Sequence, residues 1–285
     1  MRKTFLIVMA CAISAGLFSC KKDKIANETI NGFEIQWNSD FNRKNARDIV
    51  RDAIRDLVYV EGGVFMMGDT LDGAFDNEGP VHNVSLSSYY IGKKEVTQAL
   101  WYAVMDTKCG EDSSQEWESS YGLGNDYPAY RVSYSDAVSF TNKLHDITGL
   151  RFCLPTEAQW EYAARGGKST TYKKYAGSDD YSSVAVTNQG YTKCSAVGSK
   201  SPNELGLYDM SGNVWEICRD WYEDYVETPN DTIHNPEGTN YGAGYKVFRG
   251  GSWNNPPKYA RVTTRYKQGI HYQDYQTGFR LVIVK

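Results

Sequence analysis

Between Asp209 and Glu216 the chain reads Asp-Met-Ser-Gly-Asn-Val-Trp-Glu, with a carboxylate at each end and the carbonyls of Gly212 and Val214 between them. Ca²⁺ takes roughly six to eight hard oxygens, and mixed carboxylate and carbonyl ligation meets that need, so a structural calcium on Asp209, Gly212, Val214 and Glu216 is expected. The alternative is that these acids are a turn residue and a solvated charge. A second chemistry-bearing stretch runs from Trp253 to Thr277, where Trp253, Asn254, Asn255, Tyr259, Arg265, Tyr266, His271, Tyr272, Asp274 and Tyr275 crowd together. Such side chains make large, adaptable contacts at low entropic cost. The stretch reads as a binding surface for a protein or small-molecule ligand, with Arg265 available to an anionic or carbonyl group and the tyrosines to stacking. The competing reading is that some rings, Trp253 above all, are core.

Signatures of catalysis are missing. No CxxC, HExxH or GxSxG occurs, Gly242-Ala243-Gly244 completes no GxGxxG, and His82, His145, His234 and His271 are dispersed, so neither zinc nor a nucleophile elbow is expected. Of 285 residues, 41% are apolar and 39 are aromatic (22 Tyr, 10 Phe, 7 Trp), which excludes wholesale disorder. The net charge is −4 and the Lys and Arg are scattered, so no basic stripe faces phosphates and nucleic acid is not an expected partner.

The elements that position these residues begin after an address. Arg2 and Lys3 precede an apolar run from Phe5 to Phe18, shorter than the roughly 20 residues of a spanning helix and the length of a signal-peptide core. Leu17-Phe18-Ser19-Cys20 resembles the bacterial lipobox, which makes residues 1–19 a lipoprotein signal peptide and Cys20 the lipidated first residue of a membrane-anchored chain. The expected location is the periplasm or cell surface of a Gram-negative, Bacteroidetes-like bacterium. Cys109, Cys153, Cys194 and Cys218 then remain in an oxidising compartment, where one disulfide is expected, its pairing open.

Residues 20–38 read as lipidated Cys and linker. Residues 39–57 place Ile49, Val50, Ala53, Ile54 and Leu57 at helical spacing, an amphipathic helix packed on the following domain, 58–285. Thr97, Ser133 and Thr156 each precede a helical run, and Thr156 with Gln159 has capping-box spacing. Strands are expected over 58–67, 81–91, 246–250 and 278–284, and long loops over 172–191 and 223–245.

The motifs themselves come in a specific series. Val60-Glu61-Gly62-Gly63 and Phe65-Met66-Met67-Gly68 lead to Asn77-Glu78-Gly79-Pro80-Val81-His82 and Lys94-Glu95-Val96-Thr97. Leu154-Pro155-Thr156-Glu157-Ala158-Gln159-Trp160-Glu161, Gly206-Leu207-Tyr208-Asp209, Arg249-Gly250-Gly251-Ser252-Trp253 and Gly278-Phe279-Arg280 follow. In this order they resemble the sulfatase-modifying-factor family, typified by the formylglycine-generating enzyme. The resemblance implies an α+β fold: a single formylglycine-generating-enzyme-like domain, a decorated relative of the C-type-lectin fold with much irregular chain. It also implies calcium at Asp209 to Glu216, and a second calcium site that would use Asn188.

The family enzyme holds copper on two cysteines shortly after its Gly-Gly-Ser motif, and soft Cu(I) needs thiolate. Here Ser252 to Arg261 contains no cysteine and none follows Cys218, so no copper and no formylglycine formation are expected. The expected function is a non-catalytic, membrane-anchored binding or assembly lipoprotein on this scaffold. It would be of the gliding-motility or secretion type, or a displayed receptor whose C-terminal loop is diversified by a retroelement. The alternative is a periplasmic oxidoreductase with a non-standard active site.

Overall fold

The computed structural model describes residues 26–69, 73–107, 116–170, 172–227, 231–238 and 244–284, so the expectations for the signal peptide, Cys20 and Cys109 lie outside the described residues. Helix α1 (Lys44–Arg55) falls within the expected amphipathic span and buries Ala46, Val50 and Ile54. Helix α2 (Gln98–Met105) starts where the Thr97 hydroxyl accepts the Leu100 N–H. Helix α3 (Tyr134–Thr148) opens with a Ser133–Asp136 capping box and ends on Gly149 at φ 76°. Helix α4 (Glu157–Ala164) opens with the Thr156–Gln159 capping box, and all of its residues are buried, although several are polar. A short α5 (Tyr181–Val184) interrupts the first expected long loop.

The supposed linker is a correction. Strands β1 (Glu28–Ile30) and β2 (Phe33–Ile35) form a hairpin, and Ile30, Phe33, Ile35 and Trp37 are buried in the same core cluster as Val50 and Ile54. At roughly 1.5–3 kcal/mol for each large apolar side chain buried, these four residues belong to the domain.

Three further sheets carry the body. β3 (Leu57–Val60) pairs β6 (Tyr89–Gly92), which pairs β13 (Val282–Val284), which pairs β7 (Phe152–Cys153), so the last described strand sits between β6 and β7. β4 (Gly63–Met67) pairs β5 (His82–Leu86), and β9 (Thr232–His234) lies parallel on β5. The sheet behind the candidate site has the order β11 (Arg265–Gly269), β10 (Tyr245–Arg249), β8 (Trp215–Trp221), β12 (Thr277–Gly278). Each expected strand region holds strands, and 58–67, 81–91 and 278–284 each contain two. Among the described residues, no helix is long and apolar enough to cross a membrane.

Candidate functional site

The C-terminal loop leaves β10 through Gly250 and Gly251, at φ 91° and 75°. A Cβ on Gly251 would lie 2.6 Å from the Tyr259 carbonyl oxygen, so only glycine allows this close return of the chain. The Ser252 hydroxyl then lies 2.7 Å from Asn255 Oδ1 and 2.8 Å from Gln276 Oε1, tying the loop's two ends together. Trp253 is 5% exposed; its N–H donates to the Asn213 carbonyl and its Nε1 to the Tyr275 carbonyl. The core reading therefore holds for this ring. Tyr275 stacks on Tyr121 at 4.3 Å and 4°, and the Arg131 guanidinium lies over the Tyr121 ring. Tyr121 and Arg131 come from a distant part of the chain, and nothing in the local sequence announced them.

Arg265 is a correction. It is 4% exposed, and its Nε and Nη2 meet Glu157 at 2.6 and 2.9 Å. Further donors reach the carbonyls of Asn77 and Glu223, and it stacks on Tyr225 at 3.7 Å, so four of its five N–H donors are spent inside the fold and the side chain is buried away from the loop's outer face. Buried arginines recur behind the loop. Arg249 pairs with Glu161 and donates to the carbonyls of Thr263 and Thr264, while Arg261 meets Glu78 at 2.5 and 2.7 Å. Burial favours the protonated form of Glu161, yet Arg165 and Arg249 together hold its carboxyl below the ordinary range.

The outward side of the loop is different. Asn254, Tyr266 and His271 are exposed, and Asn255, Tyr259, Tyr272 and Tyr275 are half-buried. Tyr266 lies against Trp215 at 5.1 Å, Tyr259 against Phe75 at 5.3 Å, and the Tyr272 hydroxyl donates to Asp274 at 2.7 Å. Asn188 is exposed and its N–H donates to the Asn255 carbonyl. It therefore belongs to this rim.

Asp209 and Glu216 come together in a buried acidic cluster with Glu95. Arg280 is the guanidinium that meets it, its Nε and Nη2 each 2.5 Å from a Glu216 oxygen; Trp160 Nε1 donates to the same carboxylate at 2.6 Å. Glu95 accepts from Asn213 Nδ2 and the Val214 N–H. Burial, with Glu216's charge beside it, pushes Asp209 up to about 6 against the pull of the Gly198 N–H and Arg280. Burial and the two neighbouring acids raise Glu95 well above the carboxylate range. Three carboxylates against the Arg280 guanidinium and the Lys94 ammonium beside Asp209 leave a formal acidic excess of one, which a cation would offset. With about four lone-pair sites on a carboxylate and three hydrogen bonds accepted, Glu216 retains one for a metal. The residues fit calcium in charge and donor type, although among the described residues no group of three or more His, Cys, Asp or Glu is arranged around one point.

The thiols do not converge. Cys153, Cys194 and Cys218 are free, which removes the expected disulfide among these three. Cys194 is buried with its thiol 2.8 Å from the Tyr121 carbonyl, and burial raises both Cys194 and Cys218.

Residues 43–285 match the sulfatase-modifying factor enzyme 1-like domain, and the chain belongs to that family. It is 31% identical over 252 residues to the chaperone protein LppX of Paenibacillus barcinonensis, covering 70% of this chain and 78% of the relative. It is 30% identical over 259 residues to the formylglycine-generating enzyme of Streptomyces coelicolor, covering 70% and 79%. Among solved structures, Treponema denticola variable protein 1 superposes with a TM-score of 0.68 at 26% identity, covering 90% of this chain and 98% of that one.

Proposed function

We propose that this member of the sulfatase-modifying-factor family is a membrane-anchored, non-catalytic binding or assembly lipoprotein that takes its ligand on the outward rim of the C-terminal loop. The observation that carries the reading is chemical. The turn after Gly251 supplies amides, prolines and alanine where a copper oxidase needs thiolates, and of the described cysteines Cys194 and Cys218 are buried, Cys153 is half-buried, and burial raises all three, the opposite of a metal-binding thiolate. The rim offers Asn254, Tyr266, His271 and the partly exposed Tyr259 and Tyr272 to a protein or small molecule, while the buried arginines hold the loop's shape. The likeness to a relative named as a chaperone supports an assembly role, and the likeness to a variable protein supports a displayed receptor. Calcium held by Asp209, Glu216 and the carbonyls of Gly212 and Val214 would neutralise the acidic excess and stay structural; Asn188 would serve the rim.

Cys20→Ala should release the protein from membranes on fractionation; unchanged membrane association refutes the anchor. Alanine at Tyr266 or Tyr272 should abolish capture of the partner while leaving the fold intact, and unfolding of both variants would make these residues core. The 30% identity to a formylglycine-generating enzyme keeps one second reading, a periplasmic oxidoreductase with a non-standard site. Stoichiometric copper or iron in the purified protein would favour it.

A further inference from the structure

A cavity of about 460 Å³ opens between the end of β4, the C-terminus of α4 and residues 261–263. Met66, Val81 and Val262 give it apolar walls, and Arg165 and Lys174 lie on it as cations. Arg261 and Lys173 line it too, but Glu78 holds the first and Glu204 the second. The exposed Lys174 ammonium lies 5.8 Å over the Tyr175 ring and pairs with no carboxylate among the described residues. Arg165 is 7% exposed, with its Nε donating to Glu161 at 2.9 Å and its Nη2 to the Gly68 carbonyl at 3.0 Å. Its Nη1 donates to no described residue, yet it is not sealed from solvent as the orphaned Nε atoms of Arg47, Arg219 and Arg249 are. A guanidinium fixed on one edge and open at Nη1 offers the cavity it lines two N–H donors.

The charges behind Arg165 do not balance. Glu157 and Glu161 serve three guanidiniums, Arg265 on Glu157 with Arg165 and Arg249 on Glu161. Asp220, the next carboxyl, has Arg219 and Lys246 beside it and does not offset the excess. One buried positive charge is left over, and such a charge is costly unless an anion meets it. A second observation comes from Tyr172, whose ring covers the Arg165 guanidinium at 5.1 Å while its hydroxyl accepts the Met66 N–H at 3.4 Å. Its backbone is left-handed, at φ 47°, a costly conformation for a bulky side chain. The ring is 53% exposed, so its own burial does not repay that strain. Strain kept at an exposed aromatic over a half-satisfied guanidinium points to a ligand that both residues hold.

We propose that this cavity is a second binding site, separate from the C-terminal rim, which takes a monocarboxylate: the carboxylate on Arg165 Nη1, the apolar body along Met66, Val81 and Val262 beside the Tyr172 ring. The ligand is a free organic acid or the C-terminal carboxylate of a polypeptide. Hydrogen bonds from guanidinium to carboxylate are charge-assisted and among the stronger ones. Lys174 adds attraction at the exposed side. Asp69 and Asp179 also stand on the lining, so a doubly charged phosphate ester meets more repulsion than a single carboxylate.

The test is a ligand-detected NMR titration of the purified full chain in detergent with butyrate, with butyramide as the neutral isostere and propyl phosphate as the dianion. Saturable butyrate binding is expected, at least tenfold tighter than butyramide and tighter than propyl phosphate. Arg165→Gln should lose at least tenfold in affinity for butyrate. Glu161 keeps Arg249 in that variant, so no carboxylate is stranded. Lys174→Glu and Tyr172→Ala, at exposed positions, should each lose at least threefold and decide the question should the buried variant misfold. Tyr266→Ala, on the rim, should bind butyrate as the natural protein does. N-acetyl-valine separates the sources: binding at least as tight as butyrate assigns a polypeptide C-terminus, and weaker binding a free acid. Equal affinity for butyrate and butyramide, tighter binding of propyl phosphate, a loss in Tyr266→Ala, or a folded Arg165→Gln variant that binds like the natural protein overturns the proposal.

Discussion

The two sides of the C-terminal loop are built from different residue types and do opposite work. On the inner side Arg249, Arg261, Arg265 and Arg280 are each at most 4% exposed and each is matched to a glutamate. On the outer side Asn254, Tyr266 and His271 stand in solvent. Arg265 and Tyr266 are consecutive on β11 and point to opposite faces because side chains alternate along a strand. In a fold with this much irregular chain, charge pairing replaces part of the regular hydrogen-bond ladder, and it frees the solvent face to vary without unfolding the domain.

The strongest way to break the comparison is from inside. Removing one partner of a buried pair leaves the other charge stranded, so Glu161→Ala or Arg280→Leu should cost about 3–5 kcal/mol in denaturant unfolding. A cost under about 1 kcal/mol would show that the pairs are not the scaffold. Calcium comes next: at a hundredfold excess over Kd it should add about 2.7 kcal/mol, so EGTA should lower the melting temperature, and Asp209→Ala should erase that response. A melting curve indifferent to EGTA removes the metal.

Asp220 sharpens the comparison by its sign. Its folded pKa, about 7, lies above the unfolded value. The folded state therefore binds the proton more tightly, and this group's contribution falls as pH rises from about 4 to about 7, then stays level. Asp220→Asn should flatten that decline and gain about 1–2 kcal/mol at pH 7, read from unfolding curves at several pH values. A steeper decline in the variant contradicts the assignment. The smallest effect belongs to the rim: Tyr266→Ala should change stability by less than about 1 kcal/mol while removing partner capture.

Much of the frame is legible in the sequence, because local rules govern it. Thr97, Ser133 and Thr156 announce their helices by capping chemistry alone, and the spacing of Val50 and Ile54 gives α1. The β1–β2 hairpin escapes notice because two three-residue strands carry too little periodicity, and their value lies in contacts with α1 and α3 residues. The site is legible only on its outer side. Arg265 reads as available for a ligand until Glu157 arrives from α4, and Tyr275 reads as available to stack on a ligand until Tyr121 covers it. Neither partner is close in sequence, so residue type alone cannot separate a buried pairing arginine from an exposed binding one.

The central claim, a binding scaffold without oxidase chemistry, is tested most directly by incubating the purified mature chain with copper, oxygen and a sulfatase-motif cysteine peptide, then following the peptide by mass spectrometry. The account predicts that the peptide cysteine remains unconverted while partner capture by the same preparation is intact. Conversion of that cysteine to the aldehyde would contradict it.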